Sequence, residues 1–156
     1  MRRKKKEHRE TIPDPIYNSV LVAKLTNRLM IGGKKNTAQK VIWDALEEIK
    51  KAKKNEDPVV VLEQAIKNIT PLVEVRSRRV GGATYQVPRE IPADRAFFLA
   101  CRWLIGAARS KKGKPTSKKL AEEIFLAVKN EGAAIKKKLV THRMAEANRA
   151  FAHFAW

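Results

Sequence analysis

The sequence predicts a mainly α-helical fold: a single domain of about six helices with one projecting β-hairpin. Apolar residues recur every three or four positions through most of the chain, which is the spacing of one helix face. Between the third and fourth predicted helices the spacing changes to two, which indicates paired strands. With 156 residues, 44% of them hydrophobic, the chain is long enough for a sizeable core. We expect a basic flexible arm over residues 1–14 and a helical domain over residues 15–156.

The first two helices are separated by a glycine pair. The first helix follows Ser19 and is stopped by the glycines at 32–33. The second has the most regular apolar spacing in the chain, over residues 38–52, and we expect Asn36 or Thr37 as its N-cap.

The third helix and the hairpin have clear local signals. Asp57 is the expected N-cap of the third helix, Pro58 lies in its first turn, and the helix should end before Pro71. Alternating residues then predict a β-hairpin at about 72–90, with its turn at Gly81-Gly82.

Three further helices complete the prediction. Pro92 opens the fourth, the loop 110–115 ends it, and the fifth stops at Gly132. The sixth carries an apolar series at steps of four and three, which we expect to be its buried face: Val140, Met144, Ala147, Phe151 and Phe154.

The charge of the chain indicates a polyanionic partner. Thirty-four Lys and Arg face sixteen Asp and Glu, for a formal net charge of +18. Nucleic acid is the leading candidate, because its phosphates release condensed counterions when a basic protein binds. An anionic membrane surface is the other polyanion, but no apolar run approaches the roughly 18 residues of a membrane span, and we expect no membrane partner.

Cationic residues gather in acid-free clusters at the ends and joints of the predicted elements, as is typical of phosphate contacts. The candidate RNA-binding residues are Arg2, Arg3, Lys4, Lys5, Lys6, Lys34, Lys35, Arg76, Arg78, Arg79, Arg95, Arg102, Arg109, Lys111, Lys112, Lys114, Lys118, Lys136, Arg143 and Asn148. Arginine dominates the hairpin, and its planar guanidinium can bind a phosphate through two hydrogen bonds or stack on a base. Tyr85 either stacks on an unpaired base or packs on Val75 or Val80.

Three other groups are candidates for RNA contact. Residues 32–35 fail as a P-loop, but a glycine turn that offers backbone N–H groups beside two lysines suits an RNA phosphate. Two helical stripes are either RNA contacts or solvated outer faces: Arg95, Arg102 and Arg109, spaced by seven opposite Cys101, and Lys138, His142, Arg149 and His153.

We predict no enzyme, no cofactor and no metal site. No nucleophile, base or paired carboxylates can be assembled into a catalytic arrangement. Cys101 is the only cysteine and is expected to be a buried thiol in a reducing, intracellular compartment. Two other classes would share the charge: a DNA-binding regulator, which should show a recognition helix and dimer symmetry, and a module that binds acidic proteins, which would not need the arginine hairpin.

Four segments, in this order, resemble one known family. They are PDPIY at 13–17, GKK at 33–35, VEVRSRRVGGATYQVP at 73–88 and HRMAEANRAFAH at 142–153. The last two are long and specific, and the four together span nearly the whole chain. The chain thus closely resembles the bacterial and organellar type of ribosomal protein seven of the small subunit.

The resemblance implies primary binding to the 3′ major domain of small-subunit rRNA, which starts assembly of the subunit head. The hairpin would lie at the subunit interface near exit-site tRNA and the mRNA path, while most rRNA affinity would come from the arm, the Lys34–Lys35 turn and the 109–119 loop. Small-subunit ribosomal protein eleven and other head proteins would be neighbours. Some members also repress translation of their own operon. A cytoplasmic ribosome is expected, and an organellar one would also fit.

Several residues match the family's motifs by position. They are Arg76, Arg78 and Arg79 of the hairpin, Lys34 and Lys35 of the turn, and Arg143 and Asn148 of the last segment. Those expected nearest to tRNA and mRNA are Arg78, Arg79, Gly81, Gly82 and Tyr85. Members often continue beyond the last segment, so we carry over no contact made by such an extension.

Overall fold

The computed structural model describes residues 11–52 and 56–154. The helices are α1 (Val20–Leu29), α2 (Lys35–Ala52), α3 (Pro58–Ile69), α4 (Ala93–Ser110), α5 (Thr116–Val128) and α6 (Ala133–Ala147). The strands β1 (Val73–Val80) and β2 (Ala83–Glu90) lie between α3 and α4, and a short 3₁₀ helix spans Arg149–Phe154. The prediction of a mainly helical fold with one hairpin between the third and fourth helices is confirmed.

The hydrophobic core is built by α1 to α5, with α5 at its centre. α5 packs against α2, α3 and α4, and α1 covers the edge of α2 and α4. Each of the five contributes large side chains with almost no exposure, among them Leu25, Ile42, Leu62, Leu104 and Ile124. Removing such a side chain from water stabilises the fold by about 1.5–3 kcal/mol, so this core holds the helices in fixed positions.

The boundary predicted near residue 14 carries a buried contact. Asp14 is buried, and its carboxylate accepts hydrogen bonds from the backbone N–H groups of Ile16 and Tyr17 and from Nε1 of Trp43 in α2, at 3.1–3.3 Å. Asp14 is therefore part of the folded domain. Residues 1–10 of the predicted arm lie outside the described residues.

The predicted caps were right for α3 and wrong for α2. Asp57 accepts a hydrogen bond from the N–H of Val59 at 2.9 Å, and Pro58 occupies the first turn. α2 instead begins at Lys35, so Asn36 and Thr37 lie inside its first turn. The preceding glycines allow this early start because their positive φ angles turn the chain immediately before the helix.

The predicted buried face of α6 was wrong. Val140 and Met144 are 49% and 48% exposed, whereas the buried residues of α6 are Ala134, Ile135 and Ala145. The side of α6 that packs on the body carries Ala134, Lys138, His142 and Ala145, at steps of four and three, and the apolar series follows a different side of the helix. The face that packs on α4 and β1 is lined mostly by small residues.

Polar contacts attach α6 to the base of the hairpin. Nε2 of His142 accepts a hydrogen bond from the N–H of Leu72 at 3.1 Å, and Nζ of Lys138 donates to the carbonyl of Asn68 at 2.6 Å. Lys138 and His142 thus face the body of the protein. They are neither on a solvated outer face nor on an RNA-facing one, the two alternatives considered for their stripe. Partial burial lowers the pKa of both side chains, and the charge of Lys138 lowers the pKa of His142 further.

A buried carboxylate holds the hairpin base from the other side. Glu74 of β1 is buried and accepts hydrogen bonds from Nε of Arg76 at 2.6 Å and from Nε and Nη2 of Arg95 in α4, each at 3.3 Å. Because this carboxylate is largely removed from water, loss of its arginine partners would leave a buried charge uncompensated.

Aromatic contacts fix the hairpin nearer its turn. The ring of Tyr85 lies 5.2 Å from that of Phe151 and 5.3 Å from that of Phe154, measured between centroids. Nη1 of Arg78, the cross-strand neighbour of Tyr85, donates to the carbonyl of Phe154 at 2.7 Å. Tyr85 therefore packs within the protein as one of its readings proposed, but on the 3₁₀ helix and not on Val75 or Val80.

Glu123 of α5 connects three elements from inside the fold. Its side chain is fully buried; Oε1 accepts a hydrogen bond from the N–H of Ala134 at 3.0 Å, and Oε2 lies 2.9 Å from Nζ of Lys111. Gly132 precedes α6 with φ +96°, and a Cβ there would lie 2.7 Å from Oε1 of Glu123. A side chain at 132 is thus excluded by conformation and by space.

Gly132→Ala should lower the free energy of unfolding by about 3 kcal/mol, because it combines a strained φ with a clash against Glu123. Gly113→Ala is the matched control: Gly113 also has a positive φ, +82°, but nothing lies within 4 Å of its Cβ position. It should cost about 1–2 kcal/mol. Urea denaturation followed by circular dichroism measures both, and equal losses would contradict a special role for the Glu123 contact.

Acidification should weaken the hairpin attachment through His142. A pKa below the unfolded value of 6.5 means that the folded state binds this proton less readily. The contribution of neutral His142 to the free energy of unfolding is therefore complete above about pH 6.5 and is lost as the pH falls through the pKa of the folded state.

His142→Gln keeps a hydrogen-bond acceptor and removes the titration. Between pH 7 and pH 5 the wild-type chain should lose more unfolding free energy than this variant, as measured by urea denaturation at each pH. Carboxylates titrate in both proteins and cancel in the comparison. An identical pH dependence in the two proteins would refute the prediction.

Candidate RNA-binding surface

A basic groove lies between α1 and α4. Arg28 of α1 and Arg102 and Arg109 of α4 line a groove of about 440 Å³. All three arginines are exposed, and Cys101 faces the core, as predicted for this stripe. Within the described residues no acidic side chain lines this groove, which favours phosphate binding, although Asp94 lines the adjoining depression that Arg28 also borders.

The groove continues into the glycine turn before α2. Lys34 and Arg109 line an adjoining depression of about 240 Å³ with the apolar side chains of Leu29 and Ile31. Nη2 of Arg109 donates to the carbonyl of Leu29 at 3.0 Å, which orients its guanidinium between the two depressions. Arg28, Lys34, Arg102 and Arg109 therefore form one surface, which we call the α1–α4 surface.

The glycine turn offers its lysine side chains more than its backbone. The N–H of Lys34 donates to the carbonyl of Ile31 at 3.2 Å, and that of Lys35 donates to Gly33 at 2.8 Å. Both N–H groups are therefore hydrogen-bonded within the turn, whereas we expected them to be available to a phosphate. Both lysine side chains are exposed.

The loop between α4 and α5 is partly neutralised by α5. Lys111 contacts Glu123 at 2.9 Å and Glu122 at 3.9 Å, and Lys114 also donates to Glu122. That hydrogen bond lowers the pKa of Glu122. The loop looked acid-free in sequence because its partners follow one to two helical turns into α5; Lys112 and Lys118 are exposed.

The three predicted hairpin arginines differ in their surroundings. Arg76 is paired with Glu74, and Arg78 is bonded to Phe154, so both also support the fold. Arg79 is exposed at the turn, beside Gly81 and Gly82, whose φ angles of +55° and +90° suit a tight turn.

The remaining candidates are dispersed. Arg95 contacts Glu74 and lies over the ring of Phe98 with its guanidinium carbon 5.3 Å from the centroid, so it departs from the stripe predicted with Arg102 and Arg109. Lys136 and Arg143 are exposed on α6, and Nδ2 of Asn148 donates to the carbonyl of Met144 at 2.8 Å. The candidates at 2–6 lie outside the described residues.

Sequence reasoning missed Arg28 and its partner. The guanidinium carbon of Arg28 lies 4.4 Å from the ring centroid of Phe98. Lys24 lies one turn earlier on the same face of α1, 5.7 Å from the centroid of Phe97. This Lys–Arg spacing of four on a short helix was the available signal, but it is a weak one because α1 has no dense charge cluster.

The described residues show no arrangement for catalysis. Burial raises the pKa of the Cys101 thiol to about 12, so the thiolate needed for nucleophilic attack is disfavoured. No group of His, Cys, Asp and Glu within residues 11–52 and 56–154 could hold a metal ion. None of the helices in these ranges is long and apolar enough to cross a membrane.

Known proteins resemble the chain along its whole length. The family model described as "Ribosomal protein S7p/S5e" matches residues 1–149. A protein of Thermosipho africanus named "Small ribosomal subunit protein uS7" is 59% identical over 156 residues, which is 100% of both chains. A protein of the same name in Thermotoga maritima is 56% identical over 156 residues, which is 100% of both chains. Another in Dictyoglomus thermophilum is 57% identical over 148 residues, which is 95% of this chain and 94% of the Dictyoglomus protein.

The fold, the α1–α4 surface and these similarities agree with the family named from the sequence motifs. The chain therefore belongs to the ribosomal protein S7p/S5e family, and it is a structural, rRNA-binding protein of the small ribosomal subunit and not an enzyme.

Proposed function

We propose that this chain is a primary binder of the 3′ major domain of small-subunit rRNA and that its binding starts assembly of the subunit head. The observation that carries this proposal is the α1–α4 surface, where Arg28, Lys34, Arg102 and Arg109 lie together without an acidic neighbour among the described residues that line it. Such a surface suits a folded rRNA junction, whose phosphates would be recognised by their positions more than by base sequence.

The rigidity of the surface supports a role early in assembly. Arg109 is bonded to the end of α1, and Arg28 lies over Phe98, so these cations are held in place before RNA arrives. A preorganised surface binds with a smaller entropy loss than free side chains would. The bound protein would then hold the surrounding rRNA helices for the proteins that follow.

The hairpin would serve a second contact at the subunit interface, near exit-site tRNA and the mRNA path. Its turn, with Arg79, Gly81 and Gly82, is exposed, while its base is bonded to α4 and α6. A strand pair fixed at its base and free at its turn can reach a neighbouring RNA without moving the body. Tyr85 packs on aromatic neighbours, so its contribution would be to hold the hairpin.

Protein neighbours would use another side of the chain. α6 exposes Leu139, Val140 and Met144, at 56%, 49% and 48% of their surface. Grouped apolar side chains of this kind suit a protein contact, which we assign to small-subunit ribosomal protein eleven or another head protein.

The ribosome in question is the cytoplasmic one, since the relatives reported above are bacterial. Binding of the α1–α4 surface to an mRNA junction that imitates the rRNA would also account for repression of the protein's own operon, where it occurs.

The affinity for a 3′-major-domain rRNA fragment should fall steeply with salt. Replacing Lys34 and Arg102 together by Gln should reduce the slope of log affinity against log salt by about 0.7–0.9 for each phosphate that is no longer neutralised. Lys50→Gln with Lys51→Gln is the matched control, because it removes the same charge from the far end of α2. Filter binding at several salt concentrations measures the slopes. Equal slopes for the two double variants, or equal wild-type affinity for an unrelated RNA, would refute the proposal.

Arg79→Ala should weaken exit-site tRNA binding by about five-fold in reconstituted subunits while leaving rRNA affinity unchanged. The reason is that Arg79 is exposed at the hairpin turn, away from the α1–α4 surface.

Arg76→Ala is the contrasting variant, because it disturbs the Glu74 contact and should lower the thermal midpoint of unfolding. Equilibrium binding of tRNA and thermal denaturation separate the two effects. Reduced rRNA affinity in Arg79→Ala, with tRNA binding intact, would contradict this division of roles.

A further inference from the structure

The α1–α4 groove has an apolar floor as well as a cationic rim. Phe98 and Ile105 line it together with the arginines, and its volume of about 440 Å³ lies within the range of small-molecule pockets. A surface that contacts only a phosphate backbone requires cationic side chains but no apolar floor. A concave aromatic and aliphatic floor is instead the feature with which proteins hold an unstacked base.

Gly106 opens the groove. It lies on the exposed side of α4, and no atom lies within 4 Å of the position that a Cβ would take. Glycine in the middle of a helix is destabilising relative to alanine, so conformation does not explain its presence. Its backbone φ is not in the left-handed region either. What the glycine provides is free space beside Arg102 and Ile105, two helical turns from Phe98 along the same groove.

The arginines are placed for two different contacts. The guanidinium carbon of Arg28 lies 4.4 Å from the centroid of Phe98, so a base that enters the groove can contact both the guanidinium and the ring. Arg102 and Arg109 are seven residues apart, about 10 Å along the helix axis, and stand at the rim. Asn27, beside Arg28, offers an amide that can both donate to and accept from a base edge.

We infer that the groove between α1 and α4 binds a single unpaired nucleotide of the rRNA. Its base lies against Phe98 and Arg28, and the phosphates that flank it contact Arg102 and Arg109. This inference rests on the proposed rRNA-binding function and gives it a specific chemical target. The other source of the same contacts, the backbone of an intact duplex crossing the rim, would leave the apolar floor empty.

Gly106→Leu tests the inference without a change of charge. The side chain of leucine would project into the groove beside Arg102 and Ile105 and reduce the space left for a nucleotide. The affinity for a 3′-major-domain rRNA fragment should therefore fall roughly five-fold to a hundred-fold, the range for loss of one stacked base. Gly106→Ala gives the graded comparison at the same position: one methyl group takes up less of the groove, so its loss of affinity should be clearly smaller than that of Gly106→Leu. Circular dichroism should show both variants folded.

A second measurement identifies the nucleotide. Each unpaired position of the fragment is replaced in turn by an abasic ribose, which keeps the phosphates and removes the base. One abasic position should weaken binding of the wild-type chain and have no further effect on Gly106→Leu, because the base and the leucine compete for one space. Arg28→Lys, which keeps the charge but not the planar stack, should reduce the loss at that same position.

The outcomes separate this inference from the proposed function. If the wild-type chain binds the fragment no better than an unrelated RNA, the proposed function fails. Two results would show that the groove holds no base and that a duplex backbone crosses it. Either binding is specific but no abasic position weakens it, or the abasic position that weakens binding of the wild-type chain weakens binding of Gly106→Leu equally. In that case Gly106→Leu and Gly106→Ala would bind alike.

Discussion

The buried carboxylate of Glu123 determines the position of the second half of the molecule. One of its oxygens accepts a hydrogen bond from the first turn of α6, and the other pairs with Lys111 at the end of α4. With α6 fixed, His142 reaches Leu72 at the hairpin base, Lys138 reaches the last turn of α3, and the 3₁₀ helix reaches Tyr85. The hairpin therefore depends on a carboxylate that lies in a different part of the fold.

A consequence follows for the charge of the surface. Three carboxylates, those of Asp14, Glu74 and Glu123, are buried and used as internal acceptors. Other acids, such as Glu47 and Glu48, pair with Lys51 on α2. Among the described residues no acid lines either depression of the α1–α4 surface, so part of the surplus of +18 is concentrated there, where like charges repel each other. A polyanion bound there relieves that repulsion, which links the stability of the protein to its partner.

The sequence was informative where the physical signal is local. Asp57 and Pro58 define a helix start within two residues, and the change of period from 3.6 to 2 defines the hairpin. It was less informative where residues distant in sequence meet. The pairing of Lys111 with Glu123 depends on how α4 and α5 pack, and the buried face of α6 depends on which of its sides meets α4 and β1. Arg28 and Phe98 are seventy residues apart, so neither indicates the groove alone.

The arginine-rich hairpin shows that composition can mark a segment as functional without revealing the role of each residue in it. Its arginines were expected to bind phosphates or to stack on bases, yet Arg76 is held by Glu74 and Arg78 by the carbonyl of Phe154. Two of them thus make the strand pair rigid and attach it to the body, and Arg79 is left exposed at the turn. A flexible hairpin would lose conformational entropy whenever it met another RNA, whereas a rigid one has already lost it in folding. The internal contacts of the arginines therefore favour a hairpin that presents its turn at a defined position.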